Sequence, residues 1–177
     1  MGRRIAGHQT GSRHPADFYP THPDWTRALL AHVDLTREVW EPACGDGAMA
    51  RVLEEAGHEV RATDIAQGLD FLESDLRAGS IVTNPPYKLL DGFVRQGLKQ
   101  ADKYLCLLVG WHFLAGGARR VRGLWRPCPP NLVVALAERM PVNSSPSQFN
   151  HAWCVWDVTN PAAEPALRWH LVREDNR

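Results

Sequence analysis

Apolar residues recur along the chain in two alternating rhythms. After Pro23, a good first-turn residue, Trp25, Leu29, Leu30 and Val33 fall on one helical face. Val39 and Trp40 end a short strand, and Met49, Val52, Leu53 and Ala56 return to helical spacing until Gly57 stops it. His58 to Thr63 reads as a second strand and Ser80 to Thr83 as a third. Leu89, Leu90, Phe93, Val94 and Leu98 mark another helix. Tyr104 to Val109 is apolar almost without break, as in a strand covered on both faces. Residues 117–126 look helical, Leu132 to Leu136 returns to strand, and His151 to Val158 closes the series with alternating bulky side chains.

Alternating strand and helix predicts an α/β fold with a mainly parallel sheet covered on both faces. The last two strands adjoin with no helix between them, which suggests an antiparallel hairpin. Gly and Pro cluster in the linkers at 115–117 and 127–130. Residues 1–16, rich in Gly, Arg and His without a period, read as a flexible arm able to touch a phosphate backbone. Residues 17–158 then form the domain. Beyond Val158 comes a Pro- and Ala-rich stretch, and Leu167 to Val172 is open to two readings, an edge strand or a tail.

With 177 residues the chain has room for one α/β domain and a real core. Lys+Arg and Asp+Glu balance at 20 each, so any polyanion must be held by a local patch and not by global charge. No apolar run reaches membrane-spanning length, and Met1 to Gly11 lacks the apolar stretch of a signal peptide, so a cytoplasmic protein is expected. Cys44, Cys106, Cys128 and Cys154 form no CxxC pair and the eight histidines are scattered, so no metal site is expected.

Chemistry concentrates at three strand ends. Glu41-Pro42-Ala43-Cys44-Gly45-Asp46-Gly47 spans a strand-to-helix junction, where ligands bind in parallel sheets. Gly45 and Gly47 permit a tight turn and close backbone approach. Asp64 ends the second strand, where a carboxylate can accept both hydroxyls of a ribose or simply cap the following turn. Asp70 can accept from an adenine amino group and Phe71 can flank its ring, or the pair is a turn Asp and a core Phe. A dinucleotide-dependent dehydrogenase would want a third glycine at position 50, which is Ala.

Asn84-Pro85-Pro86-Tyr87 follows the third strand and is stiff and extended, because two prolines neither continue a ladder nor start a helix comfortably. The Asn84 side-chain oxygen and the Pro85 carbonyl can each accept one hydrogen of an NH₂ group, turning its lone pair outward toward a sulfonium methyl. Positioning is the main contribution. Tyr87 offers a face on which a base can stack.

Together these residues resemble the class I S-adenosylmethionine-dependent DNA amino-methyltransferases, especially the small phage-type adenine N6 enzymes. The resemblance spans about residues 16–158, in the motif order of the family's γ arrangement. It implies a single Rossmann-like domain with a seven-stranded, mainly parallel sheet whose last strand is antiparallel, and S-adenosylmethionine as cofactor. Residues 41–47, Asp64 with the adjoining Ile65, Asp70, Phe71 and Asn84 become cofactor contacts, and Asn84 to Tyr87 the catalytic tetrapeptide. Tyr19 and Thr21, in Asp17-Phe18-Tyr19-Pro20-Thr21, correspond to a motif closing over the methionine end. Phe149 becomes the aromatic that sandwiches a flipped base, and Trp153 reads as sheet packing.

One departure concerns recognition. Little chain follows Val158 to form a target-recognition domain, so sequence choice is expected to rest on short loops or a partner, or to be loose. The segment Trp111 to Arg126 contains Arg119, Arg120, Arg122 and Arg126 interleaved with Trp111 and Trp125, and Arg119 and Arg122 are candidate substrate contacts. A solvated helix packing Val121 and Leu124 accounts for the same spacing. DNA is the expected partner, through adenine N6 before cytosine N4. RNA bases and a glutamine amide satisfy the same tetrapeptide, and a non-catalytic binding subunit is the reading of a different class.

Overall fold

The stripe after Pro23 becomes helix α1 (Pro23–Leu30), which buries Trp25, Ala28 and Leu29. Pro23 sits in the first turn, where a missing N–H costs nothing, and His22 before it accepts the Asp24 N–H through Nδ1 at 3.3 Å. Then follow β1 (Glu38–Glu41), α2 (Ala48–Glu55), β2 (Glu59–Ala62), β3 (Ala78–Thr83), α3 (Leu90–Gln100) and β4 (Ala101–Gly110). Two short helices succeed β4, α4 (Trp111–Ala115) and α5 (Gly117–Arg120), and α5 runs on through a π-helical turn over Val121–Trp125. The helix expected over 117–126 is therefore present in two windings. The series ends with β5 (Leu132–Leu136), the small pair β6 (Pro141–Val142) and β7 (Ser145–Pro146), β8 (His151–Asp157) and β9 (Ala166–His170). This is a computed structural model, and it describes residues 21–138, 141–142, 145–146 and 150–171.

Seven strands lie in the order β2-β1-β3-β4-β8-β5-β9. All pair in parallel except β8, which runs antiparallel to both β4 and β5. The sheet is thus the mainly parallel, Rossmann-like one expected. Its antiparallel strand is the one led by His151, and β9 follows it in the chain as one further parallel strand at the edge. Helices α1 and α2 cover one face over Leu29, Leu53, Val82, Leu108 and Trp153. The opposite face packs Phe71, Leu90, Phe93, Leu105, Leu124 and Trp156. Trp153 is fully buried and its indole N–H donates to the Trp25 carbonyl at 2.7 Å, so its role is packing. Cys106 and Cys154 are core residues whose thiols burial pushes upward. Among the described residues no helix is long and apolar enough to cross a membrane.

Candidate active site

The carboxyl ends of β1, β2 and β3 open on one rim of the sheet, onto a cleft of about 420 Å³. β1 ends at Glu41 and the chain folds back through the glycine turn. Thr63 N–H donates to the Glu41 carbonyl at 2.9 Å, and Cys44 N–H donates to the Thr63 carbonyl at 3.0 Å, zipping the turn to the end of β2. Gly45 (φ 51°) and Gly47 (φ 73°) hold left-handed conformations that a side chain would strain. Gly47 N–H then closes onto the Cys44 carbonyl at 2.8 Å as α2 begins.

Asp64 faces this turn from the end of β2. One carboxylate oxygen accepts the Gly45 N–H at 3.0 Å and the other accepts the Ala66 N–H at 2.9 Å. The residue therefore caps the turn after β2, and each oxygen retains acceptor capacity toward the cleft. Asp70 is built alike, accepting the Leu72 N–H at 2.9 Å. Phe71 borders the cleft but is only 2% exposed, wedged between Trp40 (5.2 Å) and Phe93 (4.8 Å). Its main contribution is to the core. Ile65, by contrast, lies at the cleft with 67% of its surface exposed.

Glu41 lines the same cleft at 2% exposure. Burial, with Asp46 and Asp64 adding repulsion, pushes its carboxyl up to about 8, against a backbone hydrogen bond from Ala50 and the Arg51 charge. Its Oε2 is buried with no hydrogen-bond partner among the described residues. A buried acceptor in that condition costs free energy until a donor arrives, and a cation is the donor that would return the carboxyl to its charged form.

The opposite wall is Asn84 to Tyr87. Asn84 Nδ2 donates to Thr21 Oγ1 at 3.2 Å, which directs the amide through a residue that is itself 9% exposed. Pro85 and Pro86 carry the chain from β3 into a 3-10 turn, Tyr87–Leu89, that leads into α3. Tyr87 lies 2.9 Å through its hydroxyl from His151 Nε2, and its ring is 4.8 Å from that of Phe113. His151 is 6% exposed at the head of β8, opposite Gly110 at the end of β4, with its ring 4.3 Å from Trp25.

The structure thus brings Thr21, Glu41, Pro42, Ala43, Cys44, Gly45, Asp46, Asp64, Ile65, Asp70 and Phe71 to one cleft with Asn84, Pro85, Pro86 and Tyr87. Gly47 shapes the turn without lining the cavity. Arg119, on α5, and Arg122, in the π-helical turn, are exposed and do not border the cleft. Tyr19 and Phe149 lie outside the described residues, as do residues 1–16. Two neighbours of Tyr87 escape the sequence reading, His151 and Phe113. The only signal for His151 is a polar ring heading an otherwise apolar strand. Among the described residues no three His, Cys, Asp or Glu side chains are grouped to hold a metal.

The arrangement suits an elongated ligand with a cationic group for Glu41 and paired hydroxyls for Asp64, its far end reaching the stiff corner at Asn84. No protein-family model matches the chain, and no curated protein matches its sequence. Solved structures match its fold. A candidate class I S-adenosylmethionine-dependent methyltransferase from Listeria monocytogenes superposes with a TM-score of 0.57 at 15% identity, over 84% of this chain and 63% of that one. The type I restriction-modification system methyltransferase subunit from Streptococcus thermophilus gives 0.57 at 11% identity, over 86% and 47%. A candidate hemolysin from Lactococcus lactis gives 0.59 at 10% identity, over 84% and 91%. The chain spans less than two thirds of the first two structures. At these identities the likeness is one of fold, that of the class I methyltransferases.

Proposed function

We propose that this protein transfers a methyl group from S-adenosylmethionine to an exocyclic amino nitrogen of a nucleic-acid base, with adenine N6 in DNA the favoured target. One observation carries the reading: the corner Asn84 to Tyr87 and the acid Asp64 border the same cleft as the glycine turn. The methyltransferase fold and the restriction-modification subunit among the similar structures support it.

The cleft fits the cofactor on its own chemistry. Glu41 Oε2, buried without a partner, would receive the amino-acid ammonium, and Asp64, anchored to Gly45 and Ala66, would accept the ribose hydroxyls. When bound, S-adenosylmethionine supplies an electrophilic methyl on a sulfonium. Asn84 Oδ1 and the Pro85 carbonyl would each accept a hydrogen bond from the target NH₂, turning its lone pair toward that methyl. Held so, the nitrogen would displace sulfur from that methyl carbon, and the proton of the methylated, acidic nitrogen would pass to water. No strong base is required, and the chain's work is orientation. Tyr87, braced by His151 and Phe113, offers the face against which the base lies.

The test is labelled methyl transfer to unmethylated DNA, RNA and protein compared side by side. Asn84→Ala is expected to abolish transfer and to leave cofactor affinity within a few-fold, whereas Asp64→Ala weakens cofactor binding chiefly. Loss of both properties in Asn84→Ala refutes the assignment of its role. Transfer to a glutamine amide alone, or partner binding without any labelled product, refutes the nucleic-acid reading.

A further inference from the structure

Two tryptophans that do not line the methyl-transfer cleft are exposed and pair with one another. Trp169 is 67% exposed and Trp111 39% exposed, with their rings 6.1 Å apart at 30°. Large aromatic rings usually bury most of their surface, so a paired exposed set marks a place where something lands. Their backbones are fixed. Trp111 follows β4 directly, and its N–H donates to the Asn150 carbonyl at 2.7 Å. Trp169 stands in β9, in register with Ala135, and Leu167 and Leu171 on the same side are also exposed.

Trp111 is joined through the chain to a run of rings that starts at the catalytic corner. Tyr87 contacts Phe113, Phe113 lies 4.2 Å from His112, and His112 adjoins Trp111 in the chain. The segment that follows α4 carries charge of one sign. Residues 117–126 hold four arginines and no acid. Arg120 pairs with Asp91 and lies 5.2 Å over Phe113, whereas Arg119, Arg122 and Arg126 are exposed and join no ion pair among the described residues. In a chain with no net charge, that concentration is local. It favours a polyanion, and it disfavours a second copy of this chain, whose arginines would be brought against these.

Resting on the nucleic-acid reading above, we propose that Trp111 and Trp169 form a second stacking platform that takes an unpaired base next to the target in the same strand. Stacking is tolerant of base identity, so the platform favours single-stranded or locally opened nucleic acid over particular sequences.

The experiment measures binding of fluorescein-labelled 12-nucleotide single strands, DNA and RNA in separate arms, to the full chain and to Trp169→Ala, Trp111→Ala and Trp169→Phe. Methyl transfer and sedimentation are followed in parallel. Each alanine variant is expected to weaken single-strand binding about ten-fold, with the phenylalanine variant in between and cofactor affinity unchanged. Unchanged oligonucleotide affinity in Trp169→Ala, while the wild type binds and methylates nucleic acid, overturns the platform and leaves the proposed function standing. A wild type that neither binds nor methylates either strand overturns both. A wild-type dimer that Trp169→Ala converts to monomer at equal oligonucleotide affinity assigns the surface to self-association and overturns the platform.

Discussion

Tyr87 is held at both ends. Its backbone leaves the stiff Pro85-Pro86 pair, and its hydroxyl meets His151 Nε2 at 2.9 Å. If that bond positions the ring, Tyr87→Phe and His151→Leu each lower kcat several-fold, and the double variant is no worse than the poorer single. A coupling of about 1 kcal/mol is expected from such a bond. His151→Gln, which keeps a partner for the hydroxyl, recovers part of the loss. Fully additive losses in this cycle refute the link. Glu41 yields a second test at this scale. Its folded-state value, about 8, lies above the ordinary 4.5. The sign follows from ionisation: between those values the unfolded chain gives up this proton and the folded one keeps it. Its contribution is complete below pH 4.5 and is lost as pH rises through about 8. Urea midpoints of the cofactor-free protein should fall across that window, and Glu41→Gln should flatten the decline. An equal slope in the variant refutes the assignment.

Among the elements, α3 packs against β4 at Gly97. A Cβ there would stand 2.5 Å from Leu105 Cδ1 and 2.9 Å from Cδ2, and Leu105 is fully buried in mid-strand. Two effects compete in Gly97→Ala. Alanine gains up to about 1 kcal/mol as a helix former, whereas forcing Leu105 off its rotamer costs about 1–3 kcal/mol. Overpacking wins, and a thermal midpoint lower by about 2–6 °C is expected for a chain of this size. A variant as stable as the wild type would mean that the helix shifts freely. The sequence shows Gly97 only as a weak helix residue, because the partner that makes it necessary lies in the next strand. The same limit hides β9. Leu167, Trp169 and Leu171 alternate as in a strand, yet they are exposed, so no buried face separates an edge strand from a tail.

For the molecule as a whole, the sheet and the cleft were legible and the ties across them were not. Helical and strand periods report what each segment buries, and two glycines and two prolines at strand ends report where the backbone must turn or stiffen. Those are local constraints. Tyr87 to His151 and Asn84 to Thr21 join positions 64 and 63 residues apart, and no local pattern encodes which strand ends will meet. The placement of β8 between β4 and β5 decides the first of them. That insertion also sets a timetable. During synthesis the glycine turn, Asp64 and Asn84 emerge well before His151, and β4 and β5 cannot be joined until β8 arrives. A nascent chain can assemble the walls of the cleft early, but it lacks the brace that aligns Tyr87 until β8 has been made, and so competence waits on that strand.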